Sequence, residues 1–135
     1  MPAGLVAESE DDATALRREL VEETGYACAA VKFLCNGATS PGLTNERNSL
    51  YFALGLTPTE ALGEQLPDVD GRIRRSEIRG LLEEGESIIV HEVPLADVMP
   101  WLARQEQRGA AIDMKVYAGL FFAAVSKTRE PGAGG

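Results

Sequence analysis

The chain has 135 residues and a formal net charge of −8, from 13 lysines and arginines against 21 aspartates and glutamates. Its length suits one domain. Its 44% hydrophobic and 25% charged residues are close to an average folded protein, which argues against disorder throughout. The acidic balance argues against binding to nucleic acid or to an anionic membrane, because both require a basic surface.

The cysteine and histidine content argues against a redox-active cysteine pair, a zinc site and a metal site built from histidines. Cys28 and Cys35 have neither the spacing of a redox pair nor that of a zinc site, and they are interpreted as reduced thiols. The single histidine, His91, excludes a cage of several histidines around a metal. No signal-peptide pattern is visible, and the apolar stretch 117–125 is far shorter than the roughly 20 residues that span a bilayer. These observations predict a cytoplasmic protein.

An acidic helix is the first predicted element. It covers residues 8–23, with apolar residues at helical spacing and Asp11 or Asp12 as the candidate cap at its start. Gly25 follows the last turn, where a glycine commonly ends a helix.

Strands and helices alternate over the remainder of the chain. Strands are predicted at 28–35, 48–56 and 87–93, a turn at 40–42, a surface loop at 57–72, and helices at 95–106 and 113–127. This mixture predicts an α/β or α+β layered domain over residues 1–128. Residues 129–135 are predicted to be a disordered tail.

Three glutamates cluster on the first predicted helix. At 100° per residue, Glu19 and Glu23 lie about 40° apart, and Glu22 lies one step further round. Such carboxylates repel one another by a few tenths of a kcal/mol per pair, and Arg18 is one charge against three. A bound divalent cation, Mg²⁺ or Mn²⁺, would offset the repulsion, because both prefer oxygen ligands. The alternative is a solvated acidic helix face.

The segment 4–26 resembles the Nudix box, G-x5-E-x7-R-E-U-x-E-E-x-G-U, where U is aliphatic. The fixed positions are filled by Gly4, Glu10, Arg18, Glu19, Leu20, Glu22, Glu23 and Gly25. Tyr26 departs from the pattern, because it occupies the last aliphatic position. The resemblance implies an α/β/α sandwich with a mixed sheet, and a Mg²⁺-dependent hydrolase of nucleoside diphosphates linked to another group.

The resemblance also assigns roles within the box. Glu19 and Glu23 are the implied direct metal ligands. Glu22 is implied to be either a third ligand or the close neighbour of a ligand, and it is also implied to be a catalytic residue. The main-chain carbonyl of Ala3 would add a neutral oxygen ligand. Arg18 would orient the carboxylates through charge-assisted bonds, and Glu10 would pair within the box.

Two further segments resemble the ADP-ribose pyrophosphatase branch of the family. They are Pro2-Ala3-Gly4-Leu5 and Ser40-Pro41-Gly42-Leu43-Thr44-Asn45-Glu46. By that resemblance, Leu5, Ser40 and Glu46 would contact the substrate. An ordinary turn at Ser-Pro-Gly is the alternative.

The acidic segment 82–86 precedes the strand predicted at 87–93, an arrangement that also resembles this branch. It implies that Glu84 is the general base for the attacking water and that Glu86 is an auxiliary metal ligand. Glu83 is the rival for either role. A solvated acidic loop is the alternative.

The implied reaction is hydrolysis of a nucleoside diphosphate sugar, with ADP-ribose giving AMP and ribose 5-phosphate. Another nucleotide sugar, such as GDP-mannose or ADP-glucose, is a second hypothesis. A third is an inactive Nudix-like module or fragment that binds nucleotide or protein.

Family members carry several strands before the box, whereas this chain starts almost inside it. The resemblance therefore implies that N-terminal strands are missing, which would leave open sheet edges. Open edges favour association between chains. Because family members are often homodimers, the resemblance also implies that this chain could form a homodimer.

Overall fold

The computed structural model describes residues 2, 6, 9–67, 71–78 and 88–127. Its elements in chain order are α1 (Asp12–Thr24), β1 (Tyr26–Ala38), β2 (Arg47–Pro58), β3 (Leu66–Pro67), β4 (Arg74–Glu77), β5 (Ile89–Glu92), α2 (Val98–Gln107) and α3 (Met114–Lys127). Helices and small antiparallel sheets occur together, which confirms the predicted α+β class. The predicted tail, 129–135, lies outside the described residues.

Helix α1 begins at Asp12, later than predicted, because Asp11 is its cap. The Asp11 Oδ1 atom accepts hydrogen bonds from the amides of Ala13 and Thr14, each at 3.0 Å, which satisfies two donors that the first helical turn leaves open. The helix ends at Gly25, in the left-handed conformation at φ 68°, and the Gly25 amide donates to the Val21 carbonyl. Both predicted end signals are confirmed.

The cap gives α1 a pH-dependent contribution to stability. Hydrogen bonds from Thr14 hold the pKa of Asp11 below its ordinary value of 3.8. A depressed folded-state pKa stabilises the fold above the ordinary pKa, and this contribution is lost as the pH falls through the folded-state value.

We expect the variant Asp11→Asn to keep the cap but lose this pH dependence, because asparagine caps helices well without a charge. The difference in unfolding temperature between wild type and variant should be largest above pH 3.8 and should shrink as the pH falls through the lowered pKa of Asp11. Circular dichroism melts at several pH values measure it. A difference that stays constant from neutral to acid pH would contradict the prediction.

Strands β1 and β2 form an antiparallel hairpin. Their pairing runs from Tyr26 opposite Pro58 to Ala38 opposite Arg47, with a bulge between Phe33 and Cys35. Both strands extend past their predicted ends, because each residue added to one strand finds a partner on the other. The predicted loop at 57–72 is therefore wrong at its start, and it also contains β3.

The second sheet has three strands in the order β3-β4-β5, all paired antiparallel. Strand β5 falls inside the segment predicted as a strand, whereas β4 was not predicted. The sequence of β4, Arg-Arg-Ser-Glu, does not alternate between apolar and polar residues, so it carries no strand signal. The described strands of the two sheets share no pairing, and the segment after β2 joins them through a bridge between Leu62 and Ile78.

The two later helices lie close to their predicted positions. Helix α2 begins three residues after the predicted start, because a turn in which the Asp97 amide donates to the Pro94 carbonyl at 2.8 Å precedes it. Helix α3 begins one residue after Asp113, whose Oδ1 accepts from the Lys115 amide at 2.8 Å. Within the described ranges, no helix is both long and apolar enough to cross a membrane.

Among the described residues, the buried apolar side chains come from α1, from β2, from the two positions that flank β4 and from α2. They are Ala15, Leu20, Leu50, Ile73, Ile78 and Leu102. Because Ala15 and Leu20 belong to α1, burial of these two side chains anchors the helix to the rest of the fold.

Candidate functional site

Helix α1 is fixed along the hairpin by polar contacts as well as by its buried face. The Arg17 guanidinium donates to the Cys28 carbonyl at 2.7 Å, and the Tyr51 hydroxyl donates to Asp12 Oδ2 at 2.9 Å. Tyr51 lies opposite Phe33 in the hairpin. The helix therefore runs back along β1, with its beginning toward the hairpin loop and its end at the start of β1.

Arg18 is the centre of the acidic cluster on this helix. One of its terminal nitrogens, Nη1, donates to Glu19 Oε1 at 2.7 Å and to Glu22 Oε2 at 3.0 Å. The other side of the guanidinium contacts Glu10, with Nη2 3.3 Å from Oε2 and Nε 3.4 Å from Oε1. The bonds to Glu10 and Glu19 raise the pKa of Arg18 further above its already high value, so the cation persists at every accessible pH.

These contacts are the ones expected of a residue that orients carboxylates. Charge-assisted bonds hold planar groups in fixed directions, and one guanidinium joins three carboxylates here. The side chains of Glu10 and Glu19 are 16% and 17% exposed, whereas that of Glu22 is 38% exposed. The more exposed carboxylate is therefore partly open to a ligand. The part that the resemblance implies for Arg18 in catalysis, orienting the metal-binding carboxylates, stays a prediction.

Glu23 is half-buried on the same helical turn as Glu19 and Glu22. Within the part of the chain that the structure describes, no three acidic, histidine or cysteine side chains already converge as a metal-binding group. The donor set on the helix consists of carboxylate oxygens alone. Oxygen donors with charge suit Mg²⁺ or Mn²⁺ and do not suit softer metals, so the residues fit the predicted ion in chemistry.

The predicted substrate residues Ser40 and Glu46 lie in one loop between β1 and β2. The Ser40 carbonyl accepts from the amides of Leu43 at 2.8 Å and Thr44 at 3.0 Å, which confirms a turn at the Ser-Pro-Gly segment. Thr39 donates through its hydroxyl to Glu46 Oε2 at 3.2 Å. The structure therefore places Ser40 next to Thr39, the residue that bonds Glu46, and contact of Ser40 and Glu46 with substrate stays a prediction.

Several predicted site residues lie outside the described residues. They are the metal ligands Ala3 and Glu86, the base Glu84 with its rival Glu83, and the substrate contact Leu5. Their assigned roles stay predictions.

The sequence did not indicate a set of polar contacts beside the box. The Tyr26 hydroxyl donates to Glu92 Oε1 at 2.5 Å, and Gln65 and Arg74 complete a network around them. One signal could have drawn attention to it, because Tyr26 places a hydroxyl where the box normally has an aliphatic side chain.

Comparisons with known proteins identify the class. The family model described as NUDIX domain matches residues 1–113, and the chain therefore belongs to the Nudix domain family. The resemblance to the Nudix family and to its ADP-ribose pyrophosphatase-like branch is confirmed. Nudix enzymes generally use divalent metals such as Mg²⁺ and act on small nucleotide-sugar substrates.

Individual relatives agree with this assignment. The chain is 32% identical to the ADP-ribose pyrophosphatase of Escherichia coli (strain K12) over 111 residues, 82% of this chain and 46% of that protein. It is 30% identical to the ADP-ribose pyrophosphatase of Saccharomyces cerevisiae over 116 residues, 86% of this chain and 45% of that protein. The methanol dehydrogenase activator of Bacillus methanolicus is 45% identical over 60 residues, 44% of this chain and 32% of that protein. The chain thus spans less than half the length of these curated relatives.

Proposed function

We propose that this chain hydrolyses the pyrophosphate bond of a nucleoside diphosphate sugar, with ADP-ribose as the substrate and AMP and ribose 5-phosphate as products. The observation that carries the proposal is the cluster in which Arg18, on the helix of a Nudix box, holds the carboxylates of Glu10, Glu19 and Glu22. The choice of ADP-ribose is supported by the two ADP-ribose pyrophosphatases that match most of the chain.

The carboxylates of α1 would hold the divalent ion in this proposal. They are Glu19, Glu22 and Glu23. The main-chain carbonyl of Ala3 and the Glu86 carboxylate would be additional ligands. When bound, Mg²⁺ supplies positive charge against the pyrophosphate oxygens and lowers the pKa of a water molecule. Arg18 keeps two of the carboxylates directed to one side of the helix, which reduces the entropy lost on binding.

Other residues of the chain would accept the proton from the attacking water and bind the substrate. The oxygen of the attacking water forms a bond to one phosphorus, the bridging P–O bond breaks, and the released proton passes to the Glu84 carboxylate. The leaving phosphate departs with the bridging oxygen. Leu5, Ser40 and Glu46 would hold the nucleotide sugar during this step. We place this activity in one domain over residues 1–128, supported by the family match over 1–113.

The test is release of AMP from ADP-ribose by the 135-residue chain. We expect AMP to form with Mg²⁺ present, to stop when EDTA removes the ion, and to resume when Mg²⁺ is restored. GDP-mannose and ADP-glucose in parallel reactions decide whether another nucleotide sugar is preferred. Release of AMP that continues unchanged in EDTA would contradict the proposed metal dependence. Stabilisation of the fold by ADP-ribose and Mg²⁺ without AMP would favour the binding-module hypothesis.

A further inference from the structure

Four side chains join around Tyr26 at the end of the Nudix box. The Tyr26 hydroxyl donates to Glu92 Oε1 at 2.5 Å, and Gln65 Nε2 donates to the same two groups, at 2.8 Å and 2.6 Å. Arg74 closes the network, with Nη2 3.2 Å from Glu92 Oε2 and Nη1 3.4 Å from Gln65 Oε1. Every polar group of Gln65 and Glu92 thereby has a partner within the network.

The network connects parts of the fold that are otherwise joined by few contacts. Tyr26 is the first residue of β1, Gln65 precedes β3, Arg74 begins β4 and Glu92 ends β5. The hairpin and the three-stranded sheet share no strand pairing among the described strands. The bonds from Tyr26 therefore tie the hairpin directly to the second sheet.

The network lies directly after the end of α1 that carries the carboxylates. Only Thr24 and Gly25 separate Tyr26 from Glu23. The Gly25 carbonyl accepts from the Thr59 amide at 2.8 Å and from the Thr59 hydroxyl at 2.9 Å, so the helix end is also fixed to the segment after β2. Tyr26 adds a second, independent attachment, and two attachments restrict rotation of the helix end where one leaves it free to turn.

The hydrogen bond between Tyr26 and Glu92 fixes the orientation of the two side chains as well as holding them together. An aliphatic side chain at this position would pack without a preferred orientation, whereas a hydroxyl bonded to a carboxylate fixes distance and angle. Tyr26, Gln65 and Glu92 are half-buried, so water competes weakly for these bonds. Burial, together with the Glu92 carboxylate, raises the pKa of Tyr26 above 10.0, and the hydroxyl keeps its proton as a donor at neutral pH.

We propose that Tyr26 is a positioning residue for the metal-binding helix: its hydroxyl, through Glu92, holds the end of α1 that carries Glu22 and Glu23 against the β3–β5 sheet. This inference rests on the proposed function, because it assumes that those carboxylates bind a divalent ion. Tyr26 acts through the backbone of the helix end and touches neither the ion nor the substrate.

The test compares Mn²⁺ affinity and stability in matched variants of the 135-residue chain, without substrate. Tyr26→Phe removes one oxygen and keeps the ring. We expect it to raise the dissociation constant for Mn²⁺ roughly threefold to tenfold, below the larger losses typical of groups bonded directly to a metal ligand. Tyr117→Phe is the control, because it removes a similar bond, from the Tyr117 hydroxyl to Glu106 Oε1 at 2.9 Å, between α3 and α2. The control should leave the affinity unchanged.

Variants of Glu92 separate positioning from general stabilisation. Glu92→Gln keeps an oxygen that accepts from Tyr26, so it should retain most of the Mn²⁺ affinity although it loses the ion pair with Arg74. Glu92→Ala should weaken binding at least as much as Tyr26→Phe. Electron paramagnetic resonance of free Mn²⁺ measures the affinity, and a thermal melt of each variant measures stability.

The outcomes distinguish this inference from the proposed function. If wild type binds Mn²⁺ and Tyr26→Phe binds it equally well, the positioning role is wrong, even where the variant melts at a lower temperature. If wild type binds no Mn²⁺, the proposed function and this inference both fail. If affinity depends on Tyr26 while ADP-ribose is not hydrolysed, the positioning role stands and the proposed substrate is wrong.

Discussion

Glu23→Gln should reduce Mg²⁺-dependent release of AMP from ADP-ribose by roughly 100-fold or more. The substitution exchanges a charged oxygen for a neutral amide of nearly the same size, so it removes a proposed ligand while preserving shape. Because Glu23 is half-buried on the surface of α1, the unfolding temperature should change little. Initial rates at saturating Mg²⁺ and a thermal melt of the same preparation measure the two effects.

The control for this variant is Glu77→Gln, which neutralises an exposed glutamate on β4. It changes the net charge by the same amount, but its side chain belongs to β4 and is not part of the cluster that Arg18 holds on α1. We expect its rate to stay close to that of wild type. Equal rates for Glu23→Gln and wild type would contradict the assignment of the helix carboxylates as metal ligands.

Gly25→Ala should cause the largest loss of stability of any small substitution near the site. Gly25 has φ 68°, and a Cβ added there would lie 2.8 Å from the backbone nitrogen and Cα of Leu62. The left-handed conformation costs about 1–2 kcal/mol for a residue with a Cβ, and overpacking against backbone typically adds about 1–3 kcal/mol. The expected loss of about 2–5 kcal/mol is a large part of the roughly 5–15 kcal/mol that stabilises a domain. Urea unfolding followed by circular dichroism measures it.

Gly71→Ala is a matched control for Gly25→Ala. Gly71 has nearly the same backbone angle, φ 67°, but among the described residues, its chain neighbours aside, no heavy atom lies within 4 Å of an added Cβ. This variant should lose only the conformational part, about 1–2 kcal/mol. Equal losses in the two variants would contradict the close approach of the helix end to Leu62, and with it the fixed end of α1.

The first half of the fold was predictable because its signals are local. Asp11 offers a capping carboxylate, Gly25 offers a left-handed end, and the continuous apolar run Leu50-Tyr51-Phe52-Ala53 indicates a hairpin strand. These signals act over a few residues and need no distant partner. The second sheet differs, because β4 consists of charged and polar residues that become a strand only through pairing with β5.

In the candidate site too, contacts between residues close in sequence could be predicted, whereas contacts between distant residues could not. Glu19, Glu22 and Glu23 could be placed together from helical spacing alone, and the contact of Arg18 with Glu22 follows from their positions one turn apart. The network at Tyr26 could not be predicted, because its partners lie 39 and 66 positions away along the chain. Only the folded arrangement of the two sheets brings these groups to one place.

The most direct test of the account is the position of Mn²⁺ in a crystal of this chain. We predict an anomalous scattering peak beside α1, within coordination distance of carboxylate oxygens from Glu19, Glu22 or Glu23. Such a peak in wild type, together with its loss in Glu23→Gln, would establish the metal-binding helix. A well-ordered crystal soaked in Mn²⁺ that shows no peak beside this helix would contradict the account.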